Sequence, residues 1–511
     1  MNRARRAPVV VLLLIALVAT GFTRSLADSK RTAGQPLGAM GASAGGSQLS
    51  RMNSFALALL LGGLRGPLVM ILWTSSESQK SERNLEDFDT KVEWIRMLQP
   101  EFDTVHIFQI WNKAYNISVQ MASLSNKYRT IIDAIDYARK VDQERPNNIN
   151  IVYAIGSVFG DKLGDSAEKA YYTQRVREES LPHPSRQKLA ENDPGYRRLQ
   201  LDAVLDEQGK VLRQLLVPTN MKPLVDPDRT QDVYDGSELY FLQKFEPYPY
   251  GVSPFGFAYN YRKRAQLLQR LGHENHAQLS ELVGDSRPAL DLRKWGEGEW
   301  EMSRRLEIQA MGMNVPAERE QLEPVTAAVA PDVTLDPSKL SQLKQAIFGY
   351  DLAVRVWREA DVEYGRHLEK FKTNFQTYES HREENAAAIQ LVQADHDYLS
   401  ALIAPADQKP ALLAEARDNY RHAAVRYAMM AIHFYIPDDV AMYTLPKGVT
   451  RANMPSTWIA KADQLTPEEV VPVLDHSLQL MQSKGWAVPD EIGEYMGYMR
   501  RAQARISHLP K

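Results

Sequence analysis

Apolar residues recur at alternating intervals of three and four positions from Leu340 to Leu399. No proline interrupts the chain between Pro337 and Pro405. This repeat predicts one long amphipathic helix whose apolar stripe packs against another helix. At about 1.5 Å per residue such a helix would extend for roughly 90 Å, farther than the width of an ordinary domain. We therefore expect it to space or brace other parts, and to pair with a return helix at 410–435, with a second chain, or with both.

Four polar residues interrupt the apolar stripe. They are Asp361, Arg382, Asn385 and His396. Polar residues at seam positions of paired helices commonly fix register or partner choice. We expect that role for them in preference to ligand binding.

A shorter helical pattern occurs twice within residues 84–180. Large, large, small and aromatic positions fall at relative positions 0, 3, 4 and 7, and the copies lie 44 residues apart: Phe108, Trp111, Asn112 and Tyr115, then Val152, Ile155, Gly156 and Phe159. The pattern resembles the tetratricopeptide repeat, although its period exceeds the usual ~34 residues and Asn112 stands at a small-residue position. The simpler alternative is two antiparallel helix pairs. Both interpretations predict a helical layer packed through these residues other than Asn112, with a concave face that could hold a peptide or protein.

The amino-terminal residues have the pattern of a membrane-targeting segment. Residues 1–27 combine three early arginines with an apolar run, which predicts a signal peptide or signal anchor, and residues 28–54 form a flexible Gly/Ser/Ala linker. A second apolar segment, 55–75, contains Arg65 near its centre and Trp73 near its end. This segment could span the bilayer, lie partly embedded, or pack against the folded body. We expect attachment to a bacterial inner membrane and favour the extracytoplasmic side for the body.

The remaining chain divides into residues 181–330, an irregular aromatic-rich segment plus helices, and residues 331–511, the long helix and C-terminal helices. Nine of the 22 residues from 240 to 261 are aromatic, and prolines and glycines break regular structure there. An irregular strap filling seams between helices is the favoured interpretation. The alternative is a recognition loop presenting Tyr248, Tyr250, Phe255, Phe257 and Tyr259. Since strand-period alternation is absent, the predicted fold class is all-α.

Composition and charge exclude several classes of function. The 511-residue chain has 61 basic and 64 acidic residues, a net charge of −3, and no cysteine. Nucleic acid is therefore not an expected partner, and thiolate metal sites and cysteine nucleophiles are excluded. None of the eleven histidines has a glutamate three residues before it, which argues against a carboxylate-bridged di-iron site. We expect no cofactor and no metal.

Several strings together resemble an uncharacterised family of bacterial membrane-anchored helical proteins with divergent tetratricopeptide-like repeats. They are LGGLRGPLVMILW at 61–73, LQPEF at 98–102 with WNKAYNIS at 111–118, and YPYGVSPFGFAYNY at 248–261. The resemblance covers roughly residues 60–300 and implies an apolar anchor, a repeat-like helical body and no established activity. It also implies that Arg65 and Trp73 belong to a membrane-proximal element, and that Trp111, Asn112, Tyr115 and Asn116 lie on the first repeat helix. Beyond about residue 330 the chain departs from this resemblance.

These patterns predict a non-enzymatic, membrane-tethered scaffold or adaptor that holds unidentified partner proteins, with a possible homo-oligomer through residues 340–399. The alternative is a carbohydrate-active or other hydrolytic enzyme whose cleft is lined by residues 240–261. Such an enzyme needs facing carboxylates, for which Asp235, Glu238 and Glu246 are the nearest candidates.

Overall fold

A computed structural model describes residues 103–180, 240–245, 251–271, 281–317, 337–371 and 376–509, scattered positions between 69 and 98, residues 224–225 and 233–234, and Leu322. Strands among these residues are limited to one antiparallel pair, β1 (Leu224–Val225) and β2 (Val233–Tyr234). The all-α prediction is confirmed for the described chain. Contacts divide the chain into two compact units: unit 1, Met1–Gln120 with Arg129–Val141, and unit 2, Met121–Tyr128 with Asp142–Lys511.

Two helices in the first part of the chain change from α- to π-helical geometry. The elements there are α1 (Asp103–Trp111) continuing as π1 (Asn112–Ile117), α2 (Ser118–Gln120), α3 (Leu124–Glu144), α4 (Ile149–Ser157) continuing as π2 (Val158–Gly164), and α5 (Lys169–Glu179). The next helices are α6 (Tyr240–Gln243), α7 (Pro254–Arg270) and α8 (Glu281–Ala310), which continues through Pro288.

The C-terminal part is a stack of longer helices. They are α9 (Pro337–Phe371), α10 (Gln376–Ile403), α11 (Lys409–Met430) continuing as π3 (Ala431–Tyr435), α12 (Asp438–Thr444), α13 (Met454–Thr457), a 3₁₀ turn (Ile459–Gln464), α14 (Pro467–Ser483) and α15 (Asp490–His508). Helix α9 packs against α8 and α10, while α11 packs against α10, α14 and α15. One continuous apolar core fills the space between them.

The prediction of one helix from 340 to 399 is wrong. Arg382 makes two hydrogen bonds to Asp361, Nε to Oδ1 at 2.9 Å and Nη2 to Oδ2 at 3.2 Å. On a continuous helix these residues would lie about 30 Å apart. Helices α9 and α10 therefore fold back on each other as an antiparallel hairpin, and Tyr364 approaches Tyr378 with ring centroids 6.0 Å apart. The apolar stripe is covered largely within the chain, because its residues contribute to the unit 2 core.

Glycines allow α4 and π2 to pack closely on α7. A Cβ added at Gly156 would lie 2.8 Å from Cγ of Arg262, and one at Gly160 would lie 3.1 Å from Cβ of Ala258. At Gly164 the added atom would lie 2.8 Å from the ring of Phe255. Only residues without a side chain fit at this distance, since real Cβ contacts are rarely so short. We call Gly156, Gly160 and Gly164 the glycine row.

The second half of the aromatic segment is not irregular, because α7 begins at Pro254 with Ser253 as its N-cap. Phe257 and Tyr259 are fully buried, and Phe257 stacks on Phe159 with centroids 4.6 Å apart. Phe255 is half-buried against Gly164. All three lie on a helix and not in a loop, and the rings of Phe257 and Tyr259 fill the core, so the recognition-loop alternative is wrong for these residues. Tyr248 and Tyr250 lie outside the described residues.

Buried ion pairs connect helices that are distant in sequence. Arg501 on α15 pairs with Asp395 on α10 at 2.6 Å, and the Tyr420 hydroxyl donates to the same carboxylate at 2.6 Å. Arg505 pairs with Glu307 on α8, which also accepts from the hydroxyl of Tyr350 at 2.8 Å. Because an unpaired buried charge is costly, these partners fix the positions of α8, α10 and α15.

Unit 1 has a small apolar core of its own. Val69, Ile95, Leu98 and Val105 are buried together, with Leu72 and Phe108 packed against them. Within the described residues, no helix is both long and apolar enough to cross a bilayer. Arg65, Trp73 and most of the second apolar segment lie outside those residues.

Candidate functional site

The predicted repeat residues have different environments in the two copies. Val152, Ile155 and Phe159 are fully buried, and Gly156 lies in the glycine row. Trp111 is 42% exposed and stacks on Tyr115 with centroids 6.1 Å apart. Phe108 packs against the unit 1 core, and Asn112 is fully buried.

The four polar seam residues also separate. Asp361 and Arg382 pair across the hairpin, as described above. His396 is half-buried, and its Nδ1 lies 2.9 Å from Oδ1 of Asp397. Asn385 is fully buried and lines a cavity. Of these four residues, only Asn385 therefore lines the cavity in unit 2 that could bind a ligand.

This cavity, here called the acidic pocket, has a volume of about 200 Å³. Side chains from α8, α9, α10, α11 and α15 line it: Arg293, Glu297, Trp300, Trp357, Glu384, Asn385, Ala388, Tyr427, Glu491, Glu494, Tyr495 and Tyr498. The lining thus contains four carboxylates and one guanidinium, and five aromatic rings form much of the wall. Glu491 and Glu494 are exposed, so they mark the rim.

A hydrogen-bonded network organises the polar wall. Arg293 contacts Glu384 through Nη2 and Glu297 through Nε at 3.1 Å. Its backbone carbonyl accepts a hydrogen bond from Nε1 of Trp357 at 3.0 Å. The hydroxyl of Tyr495 donates to Glu384. Arg293 on α8 and Tyr495 on α15 thus hold the Glu384 carboxylate of α10 in place.

The network also determines the charge of the pocket. Burial alone would raise the pKa of Glu384, but the hydrogen bond from His381 and the positive charge of Arg293 outweigh it and hold that pKa below its ordinary value. Burial would likewise lower the pKa of Arg293, yet Glu297 and Glu384 raise it overall. Both groups are therefore ionised at neutral pH. Burial beside Glu384 raises the pKa of Tyr495, so its hydroxyl keeps its proton.

The aromatic wall is a connected cluster. Trp300 meets Trp357 edge-on at 5.5 Å between centroids and lies 5.0 Å from Tyr498. Tyr427 lies 5.0 Å from Tyr498 and 5.8 Å from Tyr495. Rings in mutual contact lose little freedom when a ligand binds, so the wall is preorganised.

Two buried donors in the wall have no hydrogen-bond partner among the described residues. They are Nδ2 of Asn385 and Nε1 of Trp300, in side chains that are 1% and 2% exposed. A buried donor without a partner costs about 1–3 kcal/mol. Such a cost is more easily understood where a ligand supplies the acceptor. Within the described part of the chain, no group of three or more potential metal-ligating side chains occurs.

Most of the pocket was not predicted from the sequence. Its residues extend from Arg293 to Tyr498 and come together only through tertiary packing. One signal was nevertheless present, because Glu491, Glu494, Tyr495 and Tyr498 occupy relative positions 0, 3, 4 and 7 of one helix. A helix face that combines acids with tyrosines differs from both a core stripe and a solvated face.

Comparison with protein-family models, with curated proteins and with solved structures found no match to this chain. Functional inference therefore depends on the geometry described above.

Proposed function

We propose that the chain is a membrane-tethered helical scaffold or adaptor that holds partner proteins at a bacterial cell envelope. The supporting observation lies at the end of the second apolar segment. Val69 and Leu72 pack into the unit 1 core, whereas Met70 and Ile71 are 67% and 65% exposed. These four residues thus contact the unit 1 core through one side and leave apolar side chains on the other for a bilayer. Trp94, 53% exposed, adds an aromatic side chain of the type enriched at membrane interfaces.

A partner surface is proposed on the C-terminal helices, because the hairpin covers most of its own stripe. Met442 and Tyr443 on α12 are 69% and 67% exposed, and Trp486 after α14 is 38% exposed. Lys484 bridges the two rings, with Nζ 4.9 Å from the centroid of Trp486 and 5.8 Å from that of Tyr443. Exposed aromatic and methionine side chains are enriched in protein interfaces. A homo-oligomer through α9 would instead use Phe348 and Val362, which are 39% and 48% exposed.

The test uses the full-length chain in bacterial membranes. We expect it to sediment with membranes and to co-purify with a stoichiometric companion after detergent extraction. The Met442→Asp/Tyr443→Asp variant should lose the companion, while the matched variant Phe348→Asp should keep it. Protease accessibility in spheroplasts then reports the side of the membrane. Recovery of the chain alone, or its release into the soluble fraction, would contradict the proposal.

A hydrolytic enzyme remains the second candidate, at a different place from that predicted. Asp235, Glu238 and Glu246 lie outside the described residues, but the acidic pocket does combine carboxylates with aromatic rings. Glycoside hydrolysis needs one carboxyl group that remains protonated near neutral pH. The lowered pKa of Glu384 is the opposite of this requirement. We therefore expect no hydrolysis of chromogenic glycosides, and turnover that Glu384→Gln abolishes would reverse this preference.

A further inference from the structure

We propose that the acidic pocket binds a small organic cation, an ammonium group carried a few bonds from an uncharged oxygen, as in an amino alcohol. The site lies within unit 2 and requires neither a bilayer nor a partner protein. It therefore extends the function beyond the scaffold role. Charge, ring geometry and unpartnered donors each contribute a separate argument.

The charge of the pocket selects a cation. Arg293 neutralises part of the acidic wall by contacting Glu384 and Glu297, while Glu491 and Glu494 add negative charge at the rim. Opposite charges attract strongly at such short range, and the partly buried setting weakens solvent screening. The same carboxylates repel phosphate groups. A zwitterion or anion would therefore bind more weakly than an amine.

The rings supply the surface that cations prefer. The negative faces of Trp and Tyr rings attract ammonium and guanidinium groups within about 6 Å of the centroid. The protein already uses this contact beside the pocket, where Cζ of Arg304 lies 4.2 Å from the centroid of Trp300. Trp357, Tyr427, Tyr495 and Tyr498 remain as walls for a ligand.

The two unpartnered donors indicate that the ligand carries an acceptor oxygen in addition to its positive charge. Nδ2 of Asn385 and Nε1 of Trp300 can only donate, so they need an acceptor oxygen. A hydroxyl group satisfies them without bringing a negative charge near the glutamates. The volume of about 200 Å³ lies below the ~300–1,000 Å³ of ordinary ligand pockets, which limits the ligand to a small molecule.

The first experiment is calorimetric titration of the full-length chain in detergent. Choline and ethanolamine are the cationic probes. 3,3-Dimethylbutan-1-ol, in which carbon replaces the nitrogen of choline, is the neutral control, and phosphocholine is the zwitterionic control. We expect saturable binding of at least one amine. Both controls should bind with an affinity at least about tenfold lower than that amine, since losing one strong contact costs roughly a factor of ten. Equal binding of the neutral alcohol, or no saturable binding of either amine, would overturn the proposal.

Variants connect the binding to this pocket. Asn385→Leu keeps the number and branching of the side-chain heavy atoms and removes a donor that has no partner, so we expect an unchanged or higher melting temperature with about tenfold weaker amine binding. Glu491→Gln/Glu494→Gln removes the rim charges, while the new amide at position 494 keeps an oxygen that can accept from the hydroxyl of Tyr498, and it should weaken binding by a smaller factor. Glu415→Gln, also exposed but outside the pocket, should bind normally. Unchanged binding in both pocket variants would place the amine elsewhere and exclude this site.

Discussion

The two helices that change from α- to π-geometry, α1–π1 and α4–π2, have different surroundings. In α4–π2 the glycine row lies against α7, and Phe159 is fully buried. In α1–π1 the small position is Asn112, whose side chain accepts a hydrogen bond from Nδ2 of Asn116 at 2.9 Å. Trp111 on that helix is 42% exposed. The comparison shows that the same spacing of large, small and aromatic positions can produce either close helix packing or a partly exposed helix face.

The residue at the small position explains much of this difference. Glycine lets the backbone of a neighbouring helix approach, and the side chain of Arg262 then crosses the helix and pairs with Asp291 at 2.6 Å and Asp161 at 2.9 Å. Asparagine instead fills the position with its own buried side chain, which satisfies part of its polarity within the helix. Four predictions test this interpretation, in order of decreasing effect.

Phe159→Ala should cause the largest loss. Phe159 stacks on Phe257 at 4.6 Å and on Tyr261 at 6.0 Å between centroids, and removing the ring leaves a cavity. We expect the free energy of unfolding to fall by about 3–5 kcal/mol. Chemical denaturation followed by circular dichroism measures it. A loss below about 1 kcal/mol would show that the stack does not stabilise α4–π2.

Acidification should stabilise the same packing through Asp291. Burial raises the pKa of Asp291 to about 7. The positive charges of Arg262 and Arg287 lower this pKa, and the negative charge of Asp161 raises it, but each effect is smaller than that of burial. Because the folded pKa exceeds the unfolded value, this stability is complete below about pH 4 and is lost as the pH rises through about 7. The effect is ~4 kcal/mol at most, at ~1.4 kcal/mol per pKa unit.

The check is the difference in unfolding free energy between the native chain and Asp291→Asn across pH 4–8. Subtracting the variant removes contributions from other titrating groups. A difference that does not change with pH would mean that Asp291 stays ionised in the fold.

Gly156→Ala should have an intermediate effect. The new methyl group meets Cγ of Arg262 at 2.8 Å, and that side chain cannot move freely because its guanidinium is held by two carboxylates. We expect a loss of about 1–3 kcal/mol even though alanine favours the helix by ~1 kcal/mol. Gly298→Ala is the matched control, since its Cβ meets nothing within 4 Å, and it should be neutral or stabilising. Equal denaturation midpoints for the two variants would remove the glycine row from the explanation.

Trp111→Ala should have the smallest effect, about 1 kcal/mol or less. The ring is partly exposed and stacks on Tyr115 at 6.1 Å between centroids. The same denaturation assay applies. A loss comparable with that of Phe159→Ala would mean that both copies depend equally on their aromatic residues.

Local signals in the sequence predicted local structure well. Thr466, Pro467 and Glu469 have the spacing of a capping box, and α14 begins at Pro467 with the backbone N–H of Thr466 donating to the Glu469 carboxylate at 2.8 Å. The sequence identifies Asp361 and Arg382 as polar residues on an apolar stripe. Their pairing across a hairpin could not be predicted, because the three-four spacing in α9 and α10 is the same whether the helices continue or fold back. The acidic pocket could not be predicted for the same reason. The sequence identifies Trp357 only as a residue of the apolar stripe, and the pocket forms when α15 brings Tyr498 beside Trp300.

The wider turn of π2 has a geometric consequence for the glycine row. Four α-helical residues advance by about 400°, so glycines at every fourth position would drift around the helix by roughly 40° each time. A π turn closes its hydrogen bond one residue later and therefore rotates less per residue, which reverses that drift. Gly156, Gly160 and Gly164 can thus point toward one neighbour over two turns. Deleting one residue within 158–164 would restore ordinary winding and aim the last glycine away from Phe255.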